Sequence, residues 1–281
     1  MRHPPLHEAS PDEPAGPARR LRPVGAATAR RRRLLLAGAV AAATLLAGCA
    51  PLRREPVLDD FNRTDGLVTN EYAHWNPNAP KAVRSPVWEV TSGSLFVRGG
   101  VGWSGVPDDV APAANSRHGT HSAVFRAVTH RADFGDFAFS FRLRVRSLVR
   151  THTTKAHNWD GVSILVRYQS EEQLYAVTVL RRDGVATIKK KVPGGDANGG
   201  TYYTLAQGSM RATLDVWREF RVVVHDRRDG SVVIELRQGG WSLVARDTGD
   251  GDTAPITQPG RIGIRGDNAD FEFDDVVVAP R

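Results

Sequence analysis

The sequence predicts an all-β fold, a two-sheet antiparallel β-sandwich (jelly roll). From residue 57 onward apolar and polar residues alternate with the period of two that is typical of strands with one buried face. About a dozen such runs follow one another, and pairs such as Asp183-Gly184 and Asp229-Gly230 mark tight turns between them. Helical periodicity is almost absent, so we expect two sheets that each contribute one apolar face to a shared core.

A basic block and a short apolar run lie near the start of the chain. Arg30, Arg31, Arg32 and Arg33 precede residues 34–47, an uncharged stretch rich in Leu and Ala. A permanent transmembrane helix needs ~20 apolar residues, so this stretch is typical of the central region of a signal peptide. We therefore expect residues 1–48 to be a signal peptide that is removed on export.

The apolar run ends in Leu46-Ala47-Gly48-Cys49, which resembles the lipobox of bacterial lipoproteins, and Cys49 is the only cysteine of the chain. The resemblance implies that Cys49 carries the lipid of a membrane anchor. The arginines before Leu34 also resemble a twin-arginine export signal, but the general secretory (Sec) route requires basic residues as well, so both routes stay open. Either route predicts a protein anchored to the outer face of the cytoplasmic membrane.

The net charge of +7 is concentrated in the signal region. Eight of the 38 basic and three of the 31 acidic residues lie in residues 1–48, which leaves 30 basic and 28 acidic residues afterwards. No global basic field remains to attract a phosphate backbone, so the charge predicts no nucleic-acid partner. Residues 49–56 are expected to form a lipidated tether, and residues 57–281 a single domain whose fold contains no disulfide.

The strands of this domain are predicted from alternation. In the run from Phe137 to Val145 the odd positions are apolar, and in the next run Val162, Ile164, Val166 and Tyr168 are expected on the buried face. The predicted strands, in chain order, cover residues 87–90, 95–98, 123–128, 137–145, 162–168, 174–181, 186–192, 220–224, 232–236, 242–245, 261–265 and 271–278. The predicted loops cover residues 72–86, 99–120, 151–160 and 193–208, and loops at the rims of sandwiches often carry function.

Several of these segments resemble a known family. Leu58–Gly66 and Trp88–Leu95 resemble the opening of concanavalin A-like (LamG-like) jelly-roll domains of secreted bacterial proteins. The segment Val166–Tyr175 is similar to the middle strands of these domains, and Phe273–Val276 to their last strand. The chain looks most like uncharacterised actinobacterial secreted lipoproteins. The resemblance implies a domain that presents a concave sheet to glycans, as a lectin-like module, a hydrolase or a lyase.

Aromatic and basic residues near the loops predict a glycan-binding site. Trp103, Trp159 and Tyr202 lie in or beside the loops, and the apolar face of a sugar stacks well on such rings. Arg167 and Lys189 supply positive charge for an acidic polysaccharide. Glycan binding is therefore the first functional hypothesis, and a structural or adhesion module that contacts protein is a further alternative.

Alternation also assigns the side chains of a run of three lysines. It places Lys189 and Lys191 on one face of their strand and Lys190 on the other. A face that carries Lys189 and Lys191 would suit an acidic polysaccharide, and the alternative is an ordinary solvated strand face.

A polysaccharide-degrading enzyme is the alternative hypothesis. A glycoside hydrolase needs two carboxylates about 5 to 10 Å apart. The Glu-x-Asp-x-x-Glu strand of the retaining glucanases is missing, and the closest substitute is Asp160 with Glu171 or Glu172. A lyase needs a Tyr or His base and a cationic group, for which His157 and Tyr168 are candidates. The residues thus favour a lyase over a hydrolase.

Aspartates near both ends of the domain predict a structural calcium site. The two ends of the chain usually pair in jelly rolls, which would bring Asp59, Asp65, Asp267 and Asp275 together as oxygen ligands. The alternative is that these residues cap turns beside glycines.

Overall fold

Two antiparallel β-sheets pack face to face in the structure, a computed structural model that describes residues 57–105, 124–150 and 155–281. The signal region 1–48, Cys49 and the tether 49–56 lie outside the described residues, so lipidation of Cys49 stays a prediction. Within the described ranges, no helix has the length and apolarity needed to cross a bilayer.

Sixteen strands and two short helical segments make up the described part of the chain. They are β1 Val57–Asp59, β2 Gly66–Asn70, α1 Glu71–Trp75, β3 Trp88–Ser92, β4 Ser94–Arg98, β5 Val101–Trp103, β6 Val124–Thr129, β7 Phe137–Leu148, β8 Gly161–Ser170, β9 Gln173–Val179, β10 Val185–Ala197, β11 Gly200–Ser209, β12 Arg218–Asp226, β13 Val232–Gln238, β14 Trp241–Asp247, a 3₁₀ turn Asp250–Asp252, β15 Arg261–Asp267 and β16 Ala269–Pro280. All twelve predicted strands are present.

The predicted loop over residues 193–208 is wrong, because these residues form the hairpin of β10 and β11. Pro193 and the glycines after it indicated a break, yet β10 continues past them with a shift in register between Pro193 and Ala197. The other missed strands, β1, β2 and β5, are three to five residues long and show no clear alternation of apolar and polar residues.

The sheets have nine and seven strands. The nine-stranded sheet has the order β14-β13-β12-β7-β16-β5-β4-β2, with β1 paired to β16, and the seven-stranded sheet has the order β11-β10-β9-β8-β15-β6-β3. The two ends of the domain pair as expected, since Val57 lies opposite Val277. The last strand, β16, lies between β7 and β5 in the middle of its sheet.

The core lies between the sheets and is built by the predicted alternation. The nine-stranded sheet contributes Phe137, Phe139 and Phe141 of β7 to the core. The seven-stranded sheet contributes Val162 and Ile164 of β8. Burial of each such side chain contributes roughly 1.5–3 kcal/mol relative to leaving it exposed.

A bulge in β8 interrupts the alternation. Arg167 has a φ of 49°, and the register with β9 shifts between Val166 and Ser170. Arg167 consequently turns inward and is completely buried, while Tyr168 lies on the opposite face of the sheet. The prediction that Tyr168 shares the core face with Val166 is therefore wrong. The neighbouring strand β15 begins directly after Gly260, where an added Cβ would lie 2.7 Å from the Arg167 carbonyl carbon.

Lys190 and Asp247, both completely buried, form an ion pair between the two sheets. Their Nζ and Oδ2 atoms are 3.0 Å apart, and the hydroxyl of Tyr175 donates a hydrogen bond of 2.6 Å to the same carboxylate. Lys190 Nζ also donates to the carbonyl of Thr253 at 2.8 Å. Lys190 belongs to β10, the second strand of the seven-stranded sheet, and Asp247 to β14, the edge strand of the other sheet. These bonds therefore connect the two sheets near one edge of each.

Candidate functional site

The outer face of the seven-stranded sheet, meaning the face directed away from the core, is unusually apolar at its centre. A second buried cluster lies there, separate from the main core, and Tyr202 packs against it. Its members are Val128, Leu165, Tyr168, Leu174 and Ala176. Across β8, β9 and β10 the residues directly beside one another are Leu165, Ala176 and Lys189. This line of side chains across the sheet therefore ends in a charged residue.

An open groove lies over part of this face. Its floor is made of small side chains from the central strands, and aromatic and charged side chains form its walls. The lining residues are Trp159, Ser163, Leu165, Ala176, Thr178, Arg181, Lys189, Ala197, Tyr202, Arg265 and Asp267. The combination of an apolar floor with a few polar groups is typical of ligand sites.

Trp159 forms one wall of the groove, and the rim loop holds it in place. The His157 ring stacks on Trp159, with ring centres 4.3 Å apart and planes inclined by 5°. The buried Asp160 fixes the loop, because its Oδ2 accepts hydrogen bonds from the His157 backbone N–H at 2.9 Å and from Asn268 at 3.3 Å. The same oxygen pairs with Arg182 at 3.2 Å. Preorganised aromatic rings lose little conformational entropy on binding.

Tyr202 and Lys189 also line the groove, and Lys191 lies against the ring of Tyr202. The amino groups of Lys189 and Lys191 lie 5.9 and 5.0 Å from the centre of the Tyr202 ring, within the range of cation–π attraction. The predicted alternation is confirmed, since these two lysines share the outer face while Lys190 is buried on the other side. The hairpin of β10 and β11 therefore brings an aromatic ring and positive charge together.

Two arginines in the groove are paired with acidic residues. Arg265 Nη2 lies 2.8 Å from Asp267 Oδ1, and Arg181 pairs with Asp183. Arg265 was not among the predicted groove residues. Its side could have been predicted, because alternation along 261–265 places Arg265 on the face opposite to the buried Ile262 and Ile264.

The structure brings together three of the five predicted glycan-binding residues, Trp159, Tyr202 and Lys189. Trp103 does not join them, because β5 belongs to the nine-stranded sheet. There its indole Nε1 donates to Asp270 at 2.7 Å, and the Arg98 guanidinium lies 3.8 Å from its ring centre.

Arg167 is also absent from the groove, because the bulge directs it between the sheets. It pairs there with Asp136 at 2.8 Å and with Asp226 at 2.9 Å, and it donates to the carbonyl of Thr257 at 2.6 Å. Its interactions stabilise the fold.

The predicted catalytic residues are engaged in the fold. Asp160 is 1% exposed and holds the rim loop, and burial raises its pKa above the ordinary value. Burial likewise raises the pKa of Tyr168, which makes deprotonation of its hydroxyl harder. Glu171, one possible partner of Asp160, lies 2.5 Å from Arg126. His157 faces Trp159 rather than an acidic residue.

The four aspartates of the predicted calcium site lie on different surfaces. Asp59 and Asp65 line one cleft at the start of the domain, Asp267 lines the groove, and Asp275 lines a cleft on the nine-stranded sheet. Three of them are already paired with cations: Asp59 with Arg63, Asp267 with Arg265 and Asp275 with Arg142. Asp65 accepts a hydrogen bond from the backbone N–H of Gly99 at 2.7 Å.

The predicted set of four calcium ligands is therefore wrong, because the β15 and β16 aspartates belong to separate sheets. Among residues 57–105, 124–150 and 155–281, no group of three or more His, Cys, Asp or Glu side chains is arranged to hold a metal ion.

A charged cluster at the far end of the same outer face was not predicted. Glu89 of β3 lies 2.6 Å from His74 Nδ1 of α1, and its other oxygen pairs with Arg261 of β15. The hydrogen bond from His74, with a further contribution from Arg261, lowers the pKa of Glu89 to about 2. These contacts tie α1 to the edge of the seven-stranded sheet.

The low pKa of Glu89 predicts a specific acid response. A group whose pKa is lower in the folded state than its ordinary value of 4.5 stabilises the fold above that value, and the stabilisation disappears as the pH falls towards 2. We therefore expect Glu89→Gln to unfold more easily than the wild type at pH 7. The difference in free energy of unfolding should shrink between pH 4.5 and pH 2. Urea unfolding across this range measures it, and a difference that is independent of pH contradicts the assignment.

No protein-family model matches the sequence, and no curated protein matches it. Among solved structures, the carbohydrate binding module CBM66 from Bacillus subtilis is similar with a TM-score of 0.43 and 10% identity, over 68% of this chain and 94% of that chain. The carbohydrate recognition domain of Emp46p is similar with a TM-score of 0.48 and 8% identity, over 79% and 95%. A Bacillus licheniformis β-glucanase is similar with a TM-score of 0.43 and 9% identity, over 78% and 100%.

With TM-scores below 0.5, these likenesses carry no conclusion about this chain. The two-sheet antiparallel sandwich that alternation predicts is confirmed by the strands themselves.

Proposed function

We propose that this chain is a lipid-anchored, extracytoplasmic protein that binds an acidic glycan in the groove on the outer face of its seven-stranded sheet. The observation that carries the proposal is the convergence of Trp159, Tyr202 and Lys189 on that groove. The proposed anchor is the lipid on Cys49, reached by twin-arginine or Sec export, and it limits the partners to glycans outside the cytoplasmic membrane.

The walls of the groove suit the two kinds of surface that an acidic sugar presents. The apolar face of a pyranose ring stacks on Trp159 or Tyr202, and an aromatic contact of this kind is worth roughly 0.5–1.5 kcal/mol beyond its buried area. A carboxylate or sulfate on the sugar is attracted to Lys189. Because an exposed charge pair is screened by salt, this part of the affinity should weaken as ionic strength rises.

The geometry favours binding over cleavage. The buried Asp160 carboxylate, which a hydrolase would need for catalysis, holds the rim loop instead. The buried Tyr168 is a poor base at neutral pH because burial raises its pKa. A lyase would reveal itself by unsaturated uronate products, and binding without products supports the proposal.

The test is a glycan array on the mature chain, followed by calorimetric titration of the best acidic and neutral ligands. We expect Trp159→Ala to lower affinity about tenfold for every bound glycan, which corresponds to about 1.4 kcal/mol. The melting temperature should stay nearly unchanged, since Trp159 is partly exposed on the rim and lies outside both buried clusters. Lys189→Met should weaken the acidic ligands only.

Trp103→Ala is the matched control, because this tryptophan lies on the other sheet and should leave affinity unchanged. Equal losses of affinity and melting temperature in Trp159→Ala would place Trp159 in a structural role. Lack of binding to every glycan would instead favour a module that contacts protein.

A further inference from the structure

A row of three hydroxyl side chains crosses the central strands of the seven-stranded sheet at the groove. Ser163 of β8 lies directly opposite Thr178 of β9, and Thr178 lies directly opposite Thr187 of β10. The residues that flank them in sequence, such as Val177 and Ile188, are buried in the main core. Because side chains alternate along a strand, the three hydroxyls lie on the outer face. We call Ser163, Thr178 and Thr187 the hydroxyl row.

Two members of the hydroxyl row line the groove directly. Ser163 and Thr178 are both lining residues, and their hydroxyl oxygens are 2.9 Å apart, within hydrogen-bond distance. A hydroxyl has one hydrogen to donate and two lone pairs that accept. The bond between the two side chains uses the hydrogen of only one of them. The pair therefore retains one hydrogen and further lone pairs with which to bind another molecule.

Thr187 extends the hydroxyl row below the surface. It is 2% exposed, and its Oγ1 atom is buried without a hydrogen-bond partner among the residues that the structure describes. An unpaired hydroxyl is costly to bury. Directly opposite residues of an antiparallel pair have Cβ atoms about 4.5–5.5 Å apart. One oxygen atom placed between the Thr178 and Thr187 hydroxyls can therefore bond to both, since each such bond spans about 2.8 Å.

The chemistry of the hydroxyl row matches the hydroxyls of a sugar ring. Serine and threonine hydroxyls are uncharged, and they both donate and accept, as sugar hydroxyls do. A carboxylate or a sulfate only accepts hydrogen bonds, so it would leave the lone pairs of the row unused. The neighbouring line of side chains, Leu165, Ala176 and Lys189, supplies the positive charge instead. The groove thus separates the group that attracts an acid from the groups that recognise hydroxyls.

The spacing of these two lines of side chains fits a single sugar ring. Thr187 precedes Lys189 by two positions on β10, and Thr178 follows Ala176 by two positions on β9. Two residues of a strand span roughly 6.6–6.8 Å, which is comparable to the width of a pyranose ring with its substituents. An acid group that faces Lys189 therefore places the opposite edge of the same ring at the hydroxyl row.

We propose that the hydroxyl row selects the glycan by hydrogen bonds to free ring hydroxyls, with Thr178 and Thr187 as specificity-determining residues. This inference rests on the proposed function and narrows its ligand. The preferred unit is an acidic sugar whose hydroxyls across the ring from the acid group are unsubstituted. A site that hydrogen-bonds a ligand hydroxyl rejects analogues that lack it, because its own buried polar groups then stay unpaired.

The test measures the affinity and the stability of Thr187→Val together. Valine has nearly the shape of threonine, so the variant removes an unpaired buried hydroxyl from the free protein and a hydrogen bond from the complex. We expect the urea midpoint to stay equal to or rise above that of the wild type. The affinity should fall about fivefold, which corresponds to about 1 kcal/mol. Thr178→Val should lose affinity similarly. Thr204→Val is the matched control, because Thr204 is exposed on β11 outside the groove lining and should leave affinity unchanged.

The probes are tetrasaccharides of glucuronic, galacturonic and mannuronic acid, each in its native form and with its hydroxyls O-methylated. In these sugars the C2 and C3 hydroxyls lie across the ring from the carboxylate. We expect the wild type to bind at least one native form about tenfold more tightly than its O-methylated form, as the loss of one or two hydrogen bonds predicts. Thr178→Val should reduce this preference.

The other outcomes separate the inference from the proposed function. Equal affinity of the wild type and both valine variants for the native forms overturns the inference and leaves glycan binding intact. A Thr187→Val variant that loses stability as well as affinity places its hydroxyl in the fold and also overturns the inference. If the wild type binds none of the probes but binds another acidic glycan on the array, only the inference fails. Lack of binding to every glycan contradicts both.

Discussion

Asp247→Ala is expected to destabilise the domain by about 3–5 kcal/mol, the usual cost of removing one partner from a buried ion pair. Both Asp247 and Lys190 are completely buried, so solvent cannot replace the lost carboxylate. The variant would leave the Lys190 ammonium without its counter-ion and the Tyr175 hydroxyl without its acceptor. Urea unfolding at pH 7 measures the loss.

Two further variants control this experiment. Lys190→Met combined with Asp247→Leu should recover part of the lost stability, because it removes the unpaired buried charge, while the Tyr175 hydroxyl still lacks its acceptor. Arg246→Met breaks the exposed pair of Arg246 with Asp229 and should change stability little. If Asp247→Ala is no less stable than Arg246→Met, the buried pair contributes nothing.

Arg167→Met is expected to cost about 3 kcal/mol of stability, again as the loss of one partner of a buried pair. The guanidinium joins Asp136 to Asp226 and satisfies the carbonyl of Thr257. The two aspartates are 39% exposed and can be rehydrated, so the expected cost lies near the lower end for buried pairs. Arginine and methionine both have a Cβ, so the substitution does not change the steric cost of the positive φ at this position.

The same variant distinguishes a structural arginine from one that binds a ligand. Chemical unfolding measures its stability, and titration of a bound glycan below the melting temperature measures its affinity. We expect the stability to fall and the affinity to stay within about twofold, or roughly 0.4 kcal/mol. A lower affinity with unchanged stability would return Arg167 to the binding site that the sequence suggested.

Alternation predicts the strands well and fails where a residue within a strand adopts a positive φ. It assigned the faces of β7 and separated Lys190 from its two neighbours, because regular strands have a strict period of two. It failed at Arg167, since a positive φ in a residue other than glycine has no local signature. The close approach of Gly260 that accompanies the bulge lies 93 positions along the chain and is invisible to a local pattern.

The residue types of the groove could be predicted from the sequence, but which of these residues lie together could not. Stacking chemistry singled out Trp159, Tyr202 and Trp103 together, but only strand order decides which sheet each of them joins. Trp103 is separated from the other two because β5 pairs with β16. The calcium prediction failed for a related reason. Chain ends do pair, yet β15 and β16 diverge into different sheets and take Asp267 away from Asp275.

The central place of β16 has a consequence for the order in which this domain folds. Its nine-stranded sheet is complete only when residues 269–280 are in place, because β7 and β5 meet only through them. Contacts of such high sequence separation form slowly. We therefore expect the two parts of this sheet on either side of β16 to join late in folding.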